Sequence, residues 1–511
     1  MKCFFVYTGQ IGWHHESLRP NRRSGFFYFP GGEGEDMLNI TEEEFITHKK
    51  SDYIFPVYME INGDELTPVS IFYSMKGKKK FLLESANGKN SFSRYSFIGK
   101  DPYMSILSRE QNIKIYNNDI KEKRGIVFEE IKNNMLTEYN SLGLEIPFTG
   151  GAVGYASYDT AKLYEKIPDK NPDEINIPDA YFMFYKSFIC YDHFKHKVYF
   201  VYNVFKEDTC SYNDILNELT SLSLEIKTNS IKFHDLPPHK DVLISSNFNK
   251  DEFFHIVNKA KEYIKKGEIF QVVLSQRLKA ETESEAFDIY RRLRSSNPSP
   301  YLFYIDFEEF QLIGSSPESL VSVFKDKVTT NPIAGTRRRG KNIDDDSKLK
   351  EELLNDEKEI AEHVMLVDLG RNDLGKISEF GSIKVERFME VDFYSHVMHI
   401  VSTVSGSLKM GFTVFDALVS CLPAGTVSGA PKIRAMEIIE ELEKSRRSFY
   451  AGAVGYFSYN KNMDMCIGIR TILLKNKTAY IQAGAGIVYD SVPEKEYYEI
   501  LNKAMALKEV L

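Results

Sequence analysis

Tryptophan is all but missing from this chain. Its 511 residues include 36 Phe and 30 Tyr but a single Trp, Trp13. Cysteine is scarce as well. The five residues, Cys3, Cys190, Cys210, Cys421 and Cys466, are scattered and form no Cys-x-x-Cys, which suits a reduced cytoplasm. There is no basic block and the net charge is −8, so no nucleic acid is expected as a partner. No apolar run approaches the ~18 residues a membrane span needs, so no membrane association is expected. Glycine loops are present, but none ends in Gly-Lys-Ser/Thr, which excludes a P-loop. What remains is a mildly acidic chain long enough for two domains or one large α/β unit.

Residues 1–36 read as foreign to the rest. Met1–Tyr7 is too short for a signal-peptide core, and no small-residue cleavage site follows. Gly31-Gly-Glu-Gly-Glu-Asp36 requires purine-rich codons and is followed by Met37, as a translated ribosome-binding site would be. The expectation is a non-native or disordered extension over 1–36, with Met37 as the start.

Strands are expected at Ile54–Met59, Ser70–Tyr73, Lys80–Glu84 and Tyr95–Ile98, with turns at Asn62-Gly63, Lys76-Gly77 and Asn87-Gly88. A helix over Ile126–Tyr139 precedes strands at Gly151–Tyr158, Ala180–Tyr191 and His196–Asn203, the last two forming a hairpin through Asp192–Lys195. The polar stretch Asp235-Leu-Pro-Pro-His-Lys-Asp241 separates an N-terminal domain, 37–235, from a second, 245–511. Gly151-Ala-Val-Gly-Tyr155 recurs as Gly452-Ala-Val-Gly-Tyr456, which suggests related strands in a pseudo-duplicated sheet.

The second half carries the chemistry. Glu359 to Gly375 has the pattern of a helix with stop signals at Gly370 and Gly375. Glu359 and Glu362 share one face of it, and Glu496 and Glu499 repeat the spacing on a C-terminal helix. Each pair alone reads as a solvated acidic face; two such faces together suit Mg²⁺, which takes a few carboxylates and keeps several waters. Cys421-Leu-Pro-Ala-Gly-Thr-Val-Ser-Gly-Ala-Pro-Lys432 and Gln482-Ala-Gly-Ala-Gly486 read as glycine loops whose N–H groups suit anions. Gly314-Ser-Ser-Pro-Glu318 and Asn331-Pro-Ile-Ala-Gly-Thr336 read as turns at strand ends. Gln271 falls in a buried strand, Glu268–Arg277; Arg470 falls in a strand over Cys466–Leu474; Lys503 shares the face of Glu499. Carboxylates for a cation, with Arg, Lys and backbone for anions, fit Mg²⁺ plus a small polycarboxylate.

These motifs resemble the chorismate-utilising enzymes. Pro-Ile-Ala-Gly-Thr-Arg, Glu-x-x-Glu-His-x-Met-Leu-Val-Asp-Leu-Gly-Arg-Asn-Asp, Pro-Ala-Gly-Thr-Val-Ser-Gly-Ala-Pro-Lys, Gly-Ile-Arg-Thr and Gln-Ala-Gly-Ala-Gly-Ile-Val appear in the family's order. Leu82-Leu-Glu-Ser85 and Arg94-Tyr-Ser96 extend the likeness to component I of anthranilate synthases. The resemblance implies an α+β fold of packed β-sheets with helices outside. It also implies a Mg²⁺-dependent, cytoplasmic reaction of chorismate that starts tryptophan synthesis, for which a tryptophan-poor chain is useful.

Within that family, enzymes that add water carry a lysine base where Gln271 stands, and aminodeoxychorismate synthases carry a lysine nucleophile where Ala334 stands. Neither residue can act in those ways, which leaves direct attack by ammonia. The resemblance implies metal ligands Glu359, Glu362, Glu496 and Glu499, an acid Glu318, an assisting His399, and Thr426 in the catalytic pocket. It implies substrate contacts from Gly335, Thr336, Ala424, Gly425, Tyr450, Arg470, Gly484, Ala485, Gly486, Lys503 and Gln271. Tryptophan as feedback inhibitor is implied at Glu84, Ser85, Asn297, Pro298, Ser299, Pro300, Tyr301 and Leu302. No cysteine has the Gly-x-Cys-x-Gly setting of a glutaminase, so either the glutaminase is a separate chain or free ammonia is used; the resemblance implies an amidotransferase subunit, component II, in a heterotetramer. A silent tryptophan-sensing subunit is the alternative from another class; the intact carboxylates, Glu318 and His399 argue against it.

Overall fold

The computed structural model describes residues 38–85, 94–229, 235–237, 241–394 and 397–511. The expected extension, the start at Met37, the turn Asn87-Gly88 and residues 238–240 of the expected boundary lie outside them.

The described strands form two antiparallel sheets of 12 strands each. In the first, Phe55–Asn62, Lys197–Val204, Ser187–Asp192, Tyr95–Gly99 and Phe81–Glu84 come from the first half of the chain. They meet Tyr301–Asp306, and the sheet continues through Gln311–Ser316, Thr471–Lys475, Thr478–Ile487, Gln271–Glu281 and Ile244–Ser246. In the second, the chain's two halves meet where Gly151–Ala156 pairs with Ala453–Ser458. Each sheet is thus built from both halves, with one seam between them. The repeated motif forms the second seam with itself: Gly154 lies opposite Gly455.

An aromatic core fills the space between the sheets. Phe97 and Phe303 from one face meet Tyr155 and Tyr456 from the other, with the Phe97 and Tyr456 rings 6.3 Å apart. Nearly every residue of the central strands is buried, so they read as continuous apolar runs rather than alternating ones. A second, larger core lies beneath the outer helices.

Several local expectations are corrected. Ser70–Tyr73 is not a strand but part of the helix Pro68–Ser74. Thr67 caps it, its hydroxyl accepting from the Ser70 N–H at 3.0 Å, and Pro68 takes the first position, where its missing N–H costs nothing. The helix expected to reach Tyr139 stops at Asn133. Ala180–Tyr191 is two strands, Ala180–Tyr185 in the second sheet and Ser187–Asp192 in the first. The apolar run is unbroken because both are covered on both faces, and the chain changes sheets at Lys186. The hairpin through Asp192–Lys195 is present.

The acidic helix spans Glu357–Gly375 and does not stop at Gly370. Gly370 is there for close approach: a Cβ on it would lie 3.1 Å from Thr330 Cγ2. The turns expected at 314–318 and 331–336 are largely strand, Gln311–Ser316 and Ile333–Arg338.

Gly154 tests the packing of the seam strand Gly151–Ala156 against its other neighbour, Ala180–Tyr185. A Cβ at that position would lie 1.9 Å from the Tyr181 carbonyl oxygen, a backbone atom that cannot move alone. Gly154→Ala should destabilise the protein by about 3 kcal/mol in urea unfolding, at the upper end of ordinary overpacking.

Candidate active site

Three groups of residues converge where the acidic helix, the strand Ile333–Arg338 and the C-terminal helix Pro493–Lys508 meet the two sheets. The first surrounds Glu318, whose side chain is buried with Thr426, Ala424 and Gly425 around a cavity of about 30 Å³. Burial pushes its carboxyl up to about 8. The Thr426 hydroxyl stands against it and opposes part of that rise. A carboxyl of this kind keeps its proton at neutral pH and can donate it. The loop carrying Thr426 is tied to the acidic helix by Lys432, whose Nζ lies 2.7 Å from Asp373.

The second group lies on two paired strands. Gly335 occupies a bulge in Ile333–Arg338 at φ +68, a backbone region that glycine enters freely. The bulge turns its carbonyl toward His399, whose Nδ1 lies 3.1 Å from Gly335 O and 3.0 Å from Thr336 Oγ1. A ring nitrogen bonded to a carbonyl carries the proton, so Nε2 is the basic nitrogen. Burial, then nearby Arg470, lowers the His399 pKa. The imidazole is neutral at pH 7 and able to accept a proton.

The third group is cationic. Lys503 Nζ lies 2.7 Å from Glu499 and donates to Gly484 O at 3.0 Å. Arg470 donates to Lys503 O at 2.8 Å. The expected strand through Arg470 is in fact interrupted there: Met463–Ile467 and Thr471–Lys475 belong to different sheets, and Arg470 sits between them at φ +49. The expected glycine loop Gln482–Gly486 is also a strand segment, within Thr478–Ile487. Its pairing with Thr471–Lys475 ends at Ile481, so beyond that point one edge is unpaired on that side. Its glycines make room for side chains. A Cβ on Gly484 would lie 2.7 Å from the Tyr450 hydroxyl, and one on Gly486 would lie 2.4 Å from Gln271 Nε2. Ala485 lies between them, opposite Leu274.

Three of the four expected metal ligands are already engaged. Glu362 accepts from Gln271 Nε2 at 2.9 Å, Glu359 pairs with Arg337 at 3.2 Å, and Glu499 pairs with Lys503. Burial raises the pKa of both Glu362 and Glu496, and Glu359 and Glu499 respectively add like charge. Both also feel Lys358 and Lys503, which puts the two pairs around one space. Half-buried carboxylates that repel one another are a donor set a hard divalent cation would relieve. Among the described residues the tightest acidic cluster is elsewhere, Asp159, Asp169 and Glu440. Lys162 Nζ fills it, 2.9, 2.6 and 2.9 Å from the three, so its role is structural.

Sequence reasoning missed the supports. Arg337 fixes Glu359 and Asp356, although its Gly-Thr-Arg motif was visible. Arg447, paired with Glu443 at 2.6 Å, donates to Val427 O and Val273 O and lies over the Tyr450 ring. Its i,i+4 spacing from Glu443 was the one available signal.

The expected tryptophan segments meet at the first seam, where Leu302 lies opposite Glu84. Glu84, Ser85, Pro300, Tyr301 and Leu302 line a cavity of about 530 Å³ between the sheets; Asn297, Pro298 and Ser299 do not. Glu84 is not a bare carboxylate: it accepts from Tyr290 and from Arg294. Tyr394, which packs edge-on against His399 at 5.5 Å, lines the same cavity.

Residues 78–509 match the chorismate binding enzyme family. The chain belongs to that family. It is 47% identical to anthranilate synthase component 1 of Acetivibrio thermocellus, over 92% of this chain and 98% of that one. It is 44% identical to the Aquifex aeolicus protein of the same name, over 93% and 98%. Among solved structures, anthranilate synthase component I from Streptococcus pneumoniae is 40% identical with a TM-score of 0.75, covering 88% of this chain and 98% of that one. The menaquinone-specific isochorismate synthase of Escherichia coli, at 20% identity and a TM-score of 0.68, shares the fold, over 92% and 98%. Within the chorismate-binding enzymes, this chain stands with anthranilate synthase component 1.

Glu318 sets the pH dependence expected here. An acid raised to about 8 is protonated below that value and loses its proton above it. Turnover should therefore fall as pH rises through about 8. Glu318→Gln should cost about 10²-fold or more in kcat below pH 8, with the deficit shrinking above it as the parent loses the same proton, read from steady-state rates.

Proposed function

We infer that this chain converts chorismate and ammonia to anthranilate and pyruvate, the first step of tryptophan synthesis. The observation that carries the reading is Gln271. Its amide is held by Glu362 at 2.9 Å and beside Gly486, so the position facing the nucleophile has no base. Water would need one there; ammonia does not. Ala334 likewise offers no nucleophile. Relatives named anthranilate synthase component 1 support the same choice.

In this reading Arg470, Lys503, Tyr450 and the Gly484–Gly486 backbone hold the enolpyruvyl carboxylate. Gly335, Thr336, Ala424 and Gly425 shape the pocket around the ring. Glu359, Glu362, Glu496 and Glu499 would hold Mg²⁺, partly through water, and the ion would neutralise the ring carboxylate. Ammonia bonds to C2 and the resulting ammonium releases one proton to solvent, the ring double bonds shift, and the C4 hydroxyl leaves as water with the proton of Glu318. His399 Nε2 then takes the C2 proton. The enolpyruvyl group departs, gains a proton and becomes pyruvate, and the ring is aromatic.

Ammonia comes, on this reading, from a separate glutamine amidotransferase subunit, because no glutaminase cysteine motif lies in the chain. Tryptophan binds the cavity at the first seam and inhibits. No helix among the described residues is long and apolar enough to cross a membrane, and a cytoplasmic setting suits the pattern of scattered thiols.

The test is purified chain with chorismate, Mg²⁺ and ammonium salt, with products identified by mass spectrometry. Anthranilate and pyruvate in equal amounts are expected; isochorismate or an aminodeoxychorismate as end product would reject the reading. Glu362→Gln should abolish turnover at limiting Mg²⁺ while leaving the unfolding midpoint nearly unchanged, since the change is close to isosteric.

A further inference from the structure

The cavity between the sheets contains a carboxyl group that none of the roles above employs. Asp464, on the strand Met463–Ile467, lines it from the second sheet and is 7% exposed. Tyr301, reaching across from the first sheet, donates its hydroxyl to Asp464 Oδ1 at 3.0 Å. Among the described residues no lysine or arginine pairs with Asp464; burial, opposed only by the Tyr301 bond, raises its pKa to about 7. Ser319 lines the same cavity, its buried hydroxyl beside that of Tyr301.

The walls around this polar spot are flat and apolar: Tyr95, Phe97, Pro147, Phe303, Val454 and Tyr456. Such walls accept a planar aromatic ring and reward its area. A carboxylate has acceptor capacity for several donors, and one hydroxyl satisfies only part of it. In a cavity filled by a ligand, water no longer supplies the rest. A ligand that brings an N–H to Asp464 keeps it satisfied; one that brings a bare ring edge leaves a desolvated carboxyl short of donors.

We propose that Asp464 accepts the ring N–H of the effector's indole and so makes this cavity select tryptophan over aromatic amino acids that lack that donor. The proposal rests on the reading of the cavity as a tryptophan site and names the residue that reads the ring. Asp464 lies outside the catalytic groups, so its variants report on the effector alone.

The experiment is calorimetric titration of the full chain with L-tryptophan and with β-(3-benzothienyl)-L-alanine, in which sulfur replaces the ring N–H. The parent is expected to bind the sulfur analogue at least tenfold more weakly than tryptophan. In Asp464→Asn, the Tyr301 hydroxyl holds the amide oxygen and turns the amide N–H₂ toward the ligand's N–H. That variant should lose tryptophan affinity at least tenfold and prefer neither ligand by more than threefold. Its turnover without effector should stay within twofold of the parent's, which establishes that it folds. Equal affinity of the parent for both ligands would overturn the proposal, as would parent-like tryptophan binding by the variant. If the parent binds neither ligand, the tryptophan reading of the cavity fails and the proposal falls with it. If Asp464→Asn does not fold, Tyr301→Phe replaces it: the freed carboxylate should then hold tryptophan at least as tightly relative to the analogue, and a lost preference would count against Asp464.

Discussion

Two strand pairings hold the molecule together: Phe81–Glu84 against Tyr301–Asp306, and Gly151–Ala156 against Ala453–Ser458. Every other relation between the chain's halves follows from them. Because each sheet contains strands from both halves, neither half can move without disturbing a ladder of backbone hydrogen bonds in each sheet. The aromatic core between the sheets closes the same way, with Phe97 and Tyr155 from the first half packed among Phe303 and Tyr456 from the second. Gly151 and Gly452 of the repeated motif allow the second seam to form, since a Cβ on either would lie 2.2 or 2.3 Å from the Phe457 or Ala156 carbonyl oxygen across it.

That construction also decides the electrostatics. Carboxyl groups placed where the sheets meet helices are shielded from water and differ by what faces them. Glu318 meets only a hydroxyl and rises to about 8, whereas Asp159 is surrounded by Lys162 and Arg446 and is held below its ordinary value. His399, desolvated and near Arg470, is kept neutral. One acid that holds its proton and one base that lacks one are the pair the proposed chemistry needs.

Much of this was legible in the sequence. The motifs named the family, and Glu318, Thr426, Ala424 and Gly425 do share a cavity, as Gly335, Thr336 and His399 share a strand pair. Elements whose neighbours are distant in sequence were not legible. Gln482–Gly486 looked like a loop because glycines are turn signals, yet here they clear space for Tyr450 and Gln271 beside a strand. Ala180–Tyr191 looked like one strand because burial on both faces removes the alternation that would mark its break. Asp464 carried no local signal, since its partner Tyr301 lies on another element, and Arg447 showed only its i,i+4 spacing from Glu443. Glu84 was expected in the tryptophan site; the sequence could not show that Tyr290 and Arg294 already face it.

The first seam borders the inter-sheet cavity, and the cavity's far wall includes Asn331, Ile333, Tyr394 and Val401, beside the bulge and the histidine of the proposed active site. On the proposed function, the tryptophan cavity and the active site are joined through the paired strands Ile333–Arg338 and Val397–Ser407, and a ligand that shifts those strands would affect the other site. Equilibrium coupling of this kind is reciprocal. The most direct measurement is calorimetry on the full chain with Mg²⁺ and without ammonia, so that chorismate binds but is not consumed. Tryptophan affinity is measured with and without saturating chorismate, and chorismate affinity with and without saturating tryptophan. The account predicts that each ligand weakens the other by the same factor. Tryptophan affinity unchanged by saturating chorismate would contradict it.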